Sequence, residues 1–384
     1  MDLTPLGSLK RTPFANSRIT RSLETTARPA VGGTSVAFPT AMDPSRDREE
    51  SESARREESS PPLGIRHVLV PLDGSLLAAC VLPFVAAVAG AFGARITLLR
   101  VLQARHQPAA ERHVDLLEWE IWRAGARHDL GRIAGELEAF GLPTAVEIVS
   151  GDAAEQIIVF AEKEHVDLIV LSTHGEGGLS IWLLSSTVQK VMLRAPTSVL
   201  VVPAYASRGL PIGTLHLGKI LLPLDCSARA ECLLPLAVAL TRAHDGELIL
   251  AHIVPEPELL RRMCPSAEDL RLAAQFIERN RAEAERHLTE LQNRILAQGA
   301  RARVRILVES HCDRALRRLA DEEDVDLVLL SAHGRTGDAA ERYGTVAAAL
   351  MQRGGRPMII VQDLAGVLHP VNLAEDAVRE HFGH

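Results

Sequence analysis

The feature that most constrains the fold is an internal repeat, in which one series of apolar and polar segments occurs twice. The second series begins at Lys219 with KILLPLD, which matches HVLVPLD near the start of the first. Asp73 then corresponds to Asp225, and Gly175 corresponds to Gly334. Because the offset between matched residues changes only in loops and in the long second helix, where insertions are tolerated, the repeat predicts two domains of the same kind.

Each series alternates continuous apolar runs with amphipathic segments. Runs such as VDLIVLS and TSVLVVP lack polar alternation, which is typical of parallel strands covered on both faces. The segments between them predict helices, and Ser75 is placed to cap the first, which is expected to be continuous. Strands that alternate with crossover helices require a parallel sheet, so each domain is predicted as a doubly wound, five-stranded α/β unit. Ligands bind such sheets beyond the carboxyl ends of the strands, here strands one and four.

The predicted organisation has five parts. They are a disordered tail (1–62), a first domain (63–203), a linker (204–217), a second domain (218–363) and a C-terminal extension (364–384). The tail is rich in Ser, Thr, Pro and Arg and then interleaves acidic with basic residues, which favours a solvated segment over a nucleic-acid arm. A later start at Met42, or a regulatory segment whose serines accept phosphate, are two further interpretations.

Composition argues against several classes of function. Acidic residues outnumber basic ones by 49 to 42, so the formal net charge of -7 provides no overall positive field for nucleic acid or anionic lipid. No apolar run reaches the roughly 20 residues of a membrane-spanning helix, and the N-terminus lacks a secretion signal, which together predict a cytoplasmic protein. The five cysteines form no CxxC pair, so neither a disulfide framework nor a protein-ligated metal site is expected.

The loops after the fourth strands carry the strongest functional signal. They read LSTHGEGG and LSAHGRTG, and each leads into a helix. Free backbone N–H groups and the dipole at a helix N-terminus favour phosphate, although such glycines can also simply turn the chain. His174 and His333 precede the middle glycines and could meet a phosphate. A turn-stabilising role is favoured for both, because no nucleophile and acid accompany them.

Taken together, VLVPLDGS, VDLIVLSTHGEGG and APTSVLVV resemble a universal stress protein domain, and the second copy is similar to another. The resemblance covers residues 65–203 and 218–363 and implies two Rossmann-like, adenine nucleotide alpha hydrolase-like domains. In nucleotide-binding members of this family, the fourth-strand loop has the pattern Gly-x2-Gly-x9-Gly-Ser/Thr. An Asp at the end of strand one lies beside adenine, and a glycine follows strand three.

Carried onto this chain, the family pattern implies a set of nucleotide-binding residues. They are Asp73, Gly151, Ser172, Gly175, Ser185, Ser186, Asp225, Ser331, Gly334, Gly344 and Thr345. The second copy replaces only the first loop glycine, by Ser331, whereas the first copy also replaces the third, by Ser185, where a positive φ is expected beside the phosphates. Conversely, Gly151 is replaced by Ser310 in the second copy. The aspartates are expected to accept a hydrogen bond from adenine, with helix capping as the alternative.

The resemblance implies a stress-response protein that binds ATP or a related adenine nucleotide as a regulatory ligand, with Mg²⁺ carried by the nucleotide and no catalytic residues. An adaptor that has lost nucleotide and acts through a protein partner is the alternative. A slow ATPase ranks lowest, because the P-loop GxxxxGK[ST] is absent. The two domains are expected to pair through their fifth strands, TSVLVV and RPMIIV, with a homodimer as a further assembly to test.

Overall fold

The computed structural model describes residues 64–103, 116–174, 184–206, 209–257, 266–334, 342–353 and 355–362. The predicted tail and C-terminal extension lie outside this part of the chain. The strands are β1 (His67–Pro71), β2 (Arg95–Leu102), β3 (Thr144–Ser150), β4 (Leu168–Ser172), β5 (Ser198–Val202), β6 (Lys219–Pro223), β7 (Glu247–Pro255), β8 (Arg301–Glu309), β9 (Leu327–Ser331) and β10 (Met358–Val361).

The helices connect these strands. They are α1 (Leu76–Ala79), α2 (Leu82–Phe92), α3 (Leu116–Glu138), α4 (Ala153–Lys163), α5 (Ser186–Arg194), α6 (Ala228–Glu231), α7 (Leu234–Ala243), α8 (Ala267–Ala297), α9 (Cys312–Glu322) and α10 (Thr345–Arg353). Within the described ranges, none of them is both long and apolar enough to cross a membrane.

The strands form one ten-stranded sheet in the order β3-β2-β1-β4-β5-β10-β9-β6-β7-β8. Within each half, every neighbouring pair is parallel, and the order 3-2-1-4-5 of the first half is repeated in the second. This is the doubly wound topology, so the predicted fold class is confirmed. The strand order reverses direction between β1 and β4 and between β6 and β9, which is where such sheets bind ligands.

Serine caps begin several helices as the sequence suggests. The Ser75 hydroxyl accepts from the Ala78 N–H, and Ser227 accepts from the Ala230 N–H at the same place in the second half. The helix predicted to run on from Ser75 is nevertheless divided into α1 and α2. Pro83 lies in the first turn of α2 and has no N–H, which is compatible with a new helix start but not with the interior of a continuous helix.

The core consists of one apolar cluster on each face of the sheet. Leu69 belongs to one cluster, and its neighbours Val68 and Val70 belong to the other, as the pleat requires. Each cluster draws residues from both halves of the chain. The two domains therefore share their cores rather than standing as separate bodies.

The halves join along β5 and β10, which pair antiparallel with Leu200 opposite Ile359. The pairing of domains through their fifth strands is thus present, as expected. We call this junction, together with the side chains that cross it, the seam. At the seam the Tyr343 hydroxyl donates to the Met192 carbonyl oxygen at 2.7 Å, which links the second half to the first. Both strands are buried, so the apolar edges that would invite aggregation are covered.

The segment predicted as a linker is packed rather than loose. Ala204 and Leu217, near its two ends, are buried, and Ile212 and Leu215 pack against one of the apolar clusters. The ring of Phe140 lies against Gly213, where an added Cβ would come within 2.3 Å of it. The connection therefore contributes to the joint core.

His244 also bridges the halves, and it predicts a pH dependence of stability. Its Nε2 lies 3.1 Å from the Ala87 carbonyl oxygen, and its ring packs edge-on against His216. Burial lowers the pKa of His244 below the ordinary 6.5, with a smaller contribution from His216. The unfolded chain therefore takes up a proton near pH 6.5, whereas the folded chain does so only at lower pH.

The sign follows from this difference. The stabilisation from neutral His244 is fully present above about pH 6.5 and is lost as the pH falls below it. Burial lowers the pKa of His67 as well, which acts in the same direction. Urea unfolding at pH 7.5 and 5.5 is expected to give a lower free energy of unfolding at the acid pH, with a smaller drop in His244→Gln. An equal drop in wild type and variant would contradict this assignment.

Candidate nucleotide-binding site

In the second half, the end of the first strand and the fourth-strand loop meet at an aspartate. Asp225 Oδ1 accepts from the Ser227 N–H at 3.1 Å and from its hydroxyl at 2.5 Å. Asp225 Oδ2 lies so close to Gly334 that a Cβ there would be 2.5 Å away. The structure thus brings together two of the residues that the family pattern implies.

Helix capping does not account for this carboxylate. The N-cap of α6 is Ser227, and that of α1 is Ser75, so the serines rather than the aspartates take the capping role. Asp73 Oδ1 accepts the equivalent bond from the Ser75 N–H at 2.9 Å. Asp73 is exposed, whereas Asp225 is partly buried. The carboxylate at the strand ends is therefore more enclosed in the second half than in the first.

The serines that replace the first loop glycine differ between the halves. The Ser172 hydroxyl lies 3.5 Å from Cys80 Sγ and 3.5 Å from the His174 N–H. The Ser331 hydroxyl is buried and has no hydrogen-bond partner among the described residues. A buried, unsatisfied hydroxyl costs free energy unless a bound group or water satisfies it. Ser331 therefore has an unused hydroxyl at the end of β9, within the described part of the chain.

The third loop position corrects one expectation. Ser185 N–H donates to the Thr173 carbonyl at 3.0 Å, and Gly344 N–H makes the same bond to Ala332 at 2.8 Å, so the two positions are equivalent. Ser185 has φ -60° and caps α5, and Gly344 is not among the glycines with positive φ. The expectation that this position needs a positive φ is wrong, because the residue is an extended N-cap.

The remaining residues of the pattern have simpler surroundings. Ser186 and Thr345 are exposed first residues of α5 and α10. Gly151 has φ +141°, a conformation that favours glycine, and it precedes Asp152, the N-cap of α4. Gly175 lies outside the described residues. The first half therefore does not show an assembled loop site within the described ranges.

Sequence reasoning missed the residues at the end of the second strand. In the first half the guanidinium of Arg100 lies over Gly74, with Nη1 2.8 Å from where a Cβ would be. In the second half His252 stands in place of Arg100, and Cys226 stands in place of Gly74. Aligning the two copies residue by residue would have revealed this exchange. In that alignment LLRV of the first copy matches LAHI of the second, and LDGS matches LDCS.

The exchange changes the chemistry beside Asp225. Cys226 keeps the left-handed conformation of the glycine, with φ +59°, which L side chains adopt at a cost. Its Sγ lies 3.7 Å from His252 Nδ1, which is also 2.7 Å from the Leu224 carbonyl oxygen. Because Nδ1 bonds a carbonyl, it carries the proton and acts as a donor to the sulfur rather than as its base.

Burial and hydrogen bonding determine the state of several described titratable groups near the strand ends. Burial raises the pKa of the Cys312 thiol to about 11, with further contributions from Asp313 and Asp225. Burial likewise raises the pKa of Cys80. His174 Nδ1 bonds the Thr173 hydroxyl at 2.9 Å, in keeping with a role in the turn. Among the described residues, no group of three or more His, Cys, Asp or Glu side chains could hold a metal ion.

Comparison with known proteins agrees with this architecture. The model of the universal stress protein family matches residues 64–203 and again 216–362. The chain belongs to the universal stress protein family. Universal stress protein MJ0531 of Methanocaldococcus jannaschii is 29% identical over 139 residues, which cover 36% of this chain and 81% of that protein.

Solved universal stress proteins share the fold over both domains. A universal stress protein from Archaeoglobus fulgidus aligns with a TM-score of 0.55 and 18% identity, covering 77% of this chain and 98% of its own. A putative universal stress protein from Pseudomonas aeruginosa aligns with a TM-score of 0.54 and 18% identity, covering 78% and 94%. At such identities the likeness concerns the fold, so the site must be judged from its own residues.

Proposed function

We propose that the second universal stress protein domain binds ATP or a related adenine nucleotide as a regulatory ligand. The observation that carries the proposal is Asp225, whose carboxylate is held by Ser227 directly against Gly334 at the strand-order switch point. An acceptor at this place suits the amino group of a base stacked over the strand ends.

Two further features support phosphate and ribose contacts in the same domain. The buried Ser331 hydroxyl lacks a partner in the described part of the chain and can serve a ribose or phosphate oxygen. Gly344 precedes α10 without a side chain that could cap the helix, whereas the Ser185 hydroxyl accepts from the Val188 N–H of α5. The N-terminus of α10 is therefore the more open of the two to an anion. Mg²⁺ would be held mainly by phosphate and water.

Binding rather than turnover is the role that these residues suit. The described residues around Asp225 offer acceptors and backbone donors, burial raises the pKa of the Cys312 thiol to about 11, and His252 Nδ1 bonds the Leu224 carbonyl oxygen. A nucleotide bound in this way can shift the populations of loop conformations that a partner recognises. We expect the protein to act in the cytoplasm, where adenine nucleotides are available.

Titration calorimetry of ATP with Mg²⁺ into the full chain tests the proposal. We expect saturable binding that Asp225→Ala weakens at least tenfold, about 1.4 kcal/mol. Asp73→Ala, the same change in the first domain, is the matched control and should leave this binding in place. Absence of saturable heat at millimolar ATP, or equal loss in both variants, would refute the assignment.

An adaptor function is the second candidate, and it is favoured by one observation on the first domain. Leu117, Ile121 and Trp122 of α3 are all exposed, at 67%, 60% and 38%. Apolar side chains that cluster on one exposed helix suit contact with another protein. If ATP does not bind, this helix is the surface on which to look for a partner.

A further inference from the structure

The two copies differ sharply at the pair of residues that precedes the last helix of each domain. The first copy has Leu183 and Leu184, whereas the second has Arg342 and Tyr343. Leu184 packs against the apolar cluster, and Tyr343, 7% exposed, belongs to the same cluster. The second domain thus introduces a cation at a place where the first has an aliphatic side chain.

Tyr343 anchors this cation at the seam. Its hydroxyl donates to the Met192 carbonyl of α5 at 2.7 Å and accepts from Gln362 Nε2 at 2.9 Å. Burial raises the pKa of Tyr343 to about 12, and a hydrogen bond from Arg342 is one of the smaller opposing effects. One part of the guanidinium is therefore engaged by the tyrosine hydroxyl.

The other donors of Arg342 are not matched. Nε and Nη2 are both buried, and neither has a hydrogen-bond partner among the described residues. These two nitrogens lie on the same edge of the guanidinium, the edge that binds two oxygens of one carboxylate or phosphate side by side. A guanidinium stays charged at any ordinary pH, so leaving this edge buried without an acceptor is costly.

We propose that this edge of Arg342 binds an oxyanion of the phosphate type at the seam. The position favours phosphate, because Arg342 lies two residues before Gly344 and the N-terminus of α10, where the helix dipole also attracts negative charge. The phosphate can be a free ion or the phosphate tail of a nucleotide. The second source rests on the proposed function, whereas the first does not.

Inorganic phosphate is the probe that tests the site. The thermal midpoint of the full chain is measured against phosphate at constant ionic strength, with chloride as the replaced ion. The wild type should be stabilised saturably by phosphate. Arg342→Leu, which copies the first domain, should lose this response, with at least a tenfold weaker apparent affinity. Arg342→Lys should retain only part of it, because an ammonium cannot form the paired contact.

Stability without phosphate gives an independent readout. Arg342→Leu removes the unmatched donors. In chloride the variant should therefore be at least as stable as the wild type, and in phosphate it should be less stable than the wild type. Arg279→Gln, which removes an exposed arginine of α8, controls for the loss of one positive charge and should keep the full phosphate response. An equal phosphate response in the wild type and Arg342→Leu, or equal losses in Arg342→Leu and Arg279→Gln, overturns the proposal.

Adenosine and ATP then distinguish the two sources. If the anion is the nucleotide tail, Arg342→Leu weakens ATP binding but not adenosine binding, and phosphate competes with ATP. If it is a free ion, the variant keeps its ATP affinity and loses only the phosphate response. A phosphate response in a protein that binds no ATP would refute the proposed nucleotide function and still support this site.

Discussion

Gly334→Ala is expected to weaken ATP binding to the second domain by at least an order of magnitude, about 1.4 kcal/mol or more. The added Cβ would lie 2.5 Å from Asp225 Oδ2, closer than such atoms approach in folded proteins. The carboxylate must then move, which disturbs its bonds to Ser227. The same crowding should lower the free energy of unfolding by about 1–3 kcal/mol.

Gly355→Ala is the matched control for this change. Gly355 lies between α10 and β10 with nothing within 4 Å of an added Cβ and with no positive φ. ATP affinity, measured by calorimetry on the full chain, should be unchanged in this variant. Wild-type affinity in Gly334→Ala would mean that the contact with Asp225 has no part in nucleotide binding.

Ile359→Ala should have the largest effect on stability. Ile359 is fully buried in β10 opposite Leu200 of β5, at the junction of the two domains. Removing a buried isoleucine side chain beyond its Cβ costs about 2–5 kcal/mol, depending on how far the surroundings collapse. Leu193→Ala, at a 62% exposed position of α5, is the control and should change stability by less than about 0.5 kcal/mol.

The distribution of tryptophans makes this experiment informative about coupling. All three, Trp119, Trp122 and Trp182, lie in the first domain, whereas the substitution lies in the second. Since the apolar clusters span both domains, tryptophan fluorescence and far-ultraviolet circular dichroism should report one shared, shifted urea transition. A shift seen by circular dichroism with unchanged fluorescence would show that the domains unfold independently.

The sequence predicts the strands of this protein better than its connections. Buried parallel strands are short aliphatic runs, and the runs VDLIVLS and TSVLVVP contain β4 (Leu168–Ser172) and β5 (Ser198–Val202), as predicted. The division of the helix after Ser75 depended on Pro83, whose effect an apolar periodicity does not reveal. The packing of the linker could not be predicted either. Leu217 is buried, but the local sequence does not distinguish it from an exposed apolar residue in a loop.

The candidate site was predicted by residue type but not by geometry. Asp225 and Gly334 were expected near each other because both follow strands that meet at the switch point, and they are in contact. The expectation of a positive φ at Ser185 was wrong, because Ser185 is an extended N-cap. The glycine of the family pattern does not indicate a positive φ at this position. It indicates a helix N-terminus without a side-chain cap. Arg342 and His252 escaped notice because their significance lies in differences between the copies.

The antiparallel pairing of β5 with β10 sets the direction of every other strand. All strands of the first domain run one way, and all strands of the second run the opposite way. The carboxyl ends at which doubly wound domains bind ligands therefore lie on opposite rims of the sheet. Ligands bound at the two rims would be separated by the length of the strands. A partner protein could therefore contact the ligand-binding rim of one domain without covering that of the other. The repeat thus places the candidate ligand-binding ends of the two domains on opposite rims, and only the second domain retains most of the family's loop residues.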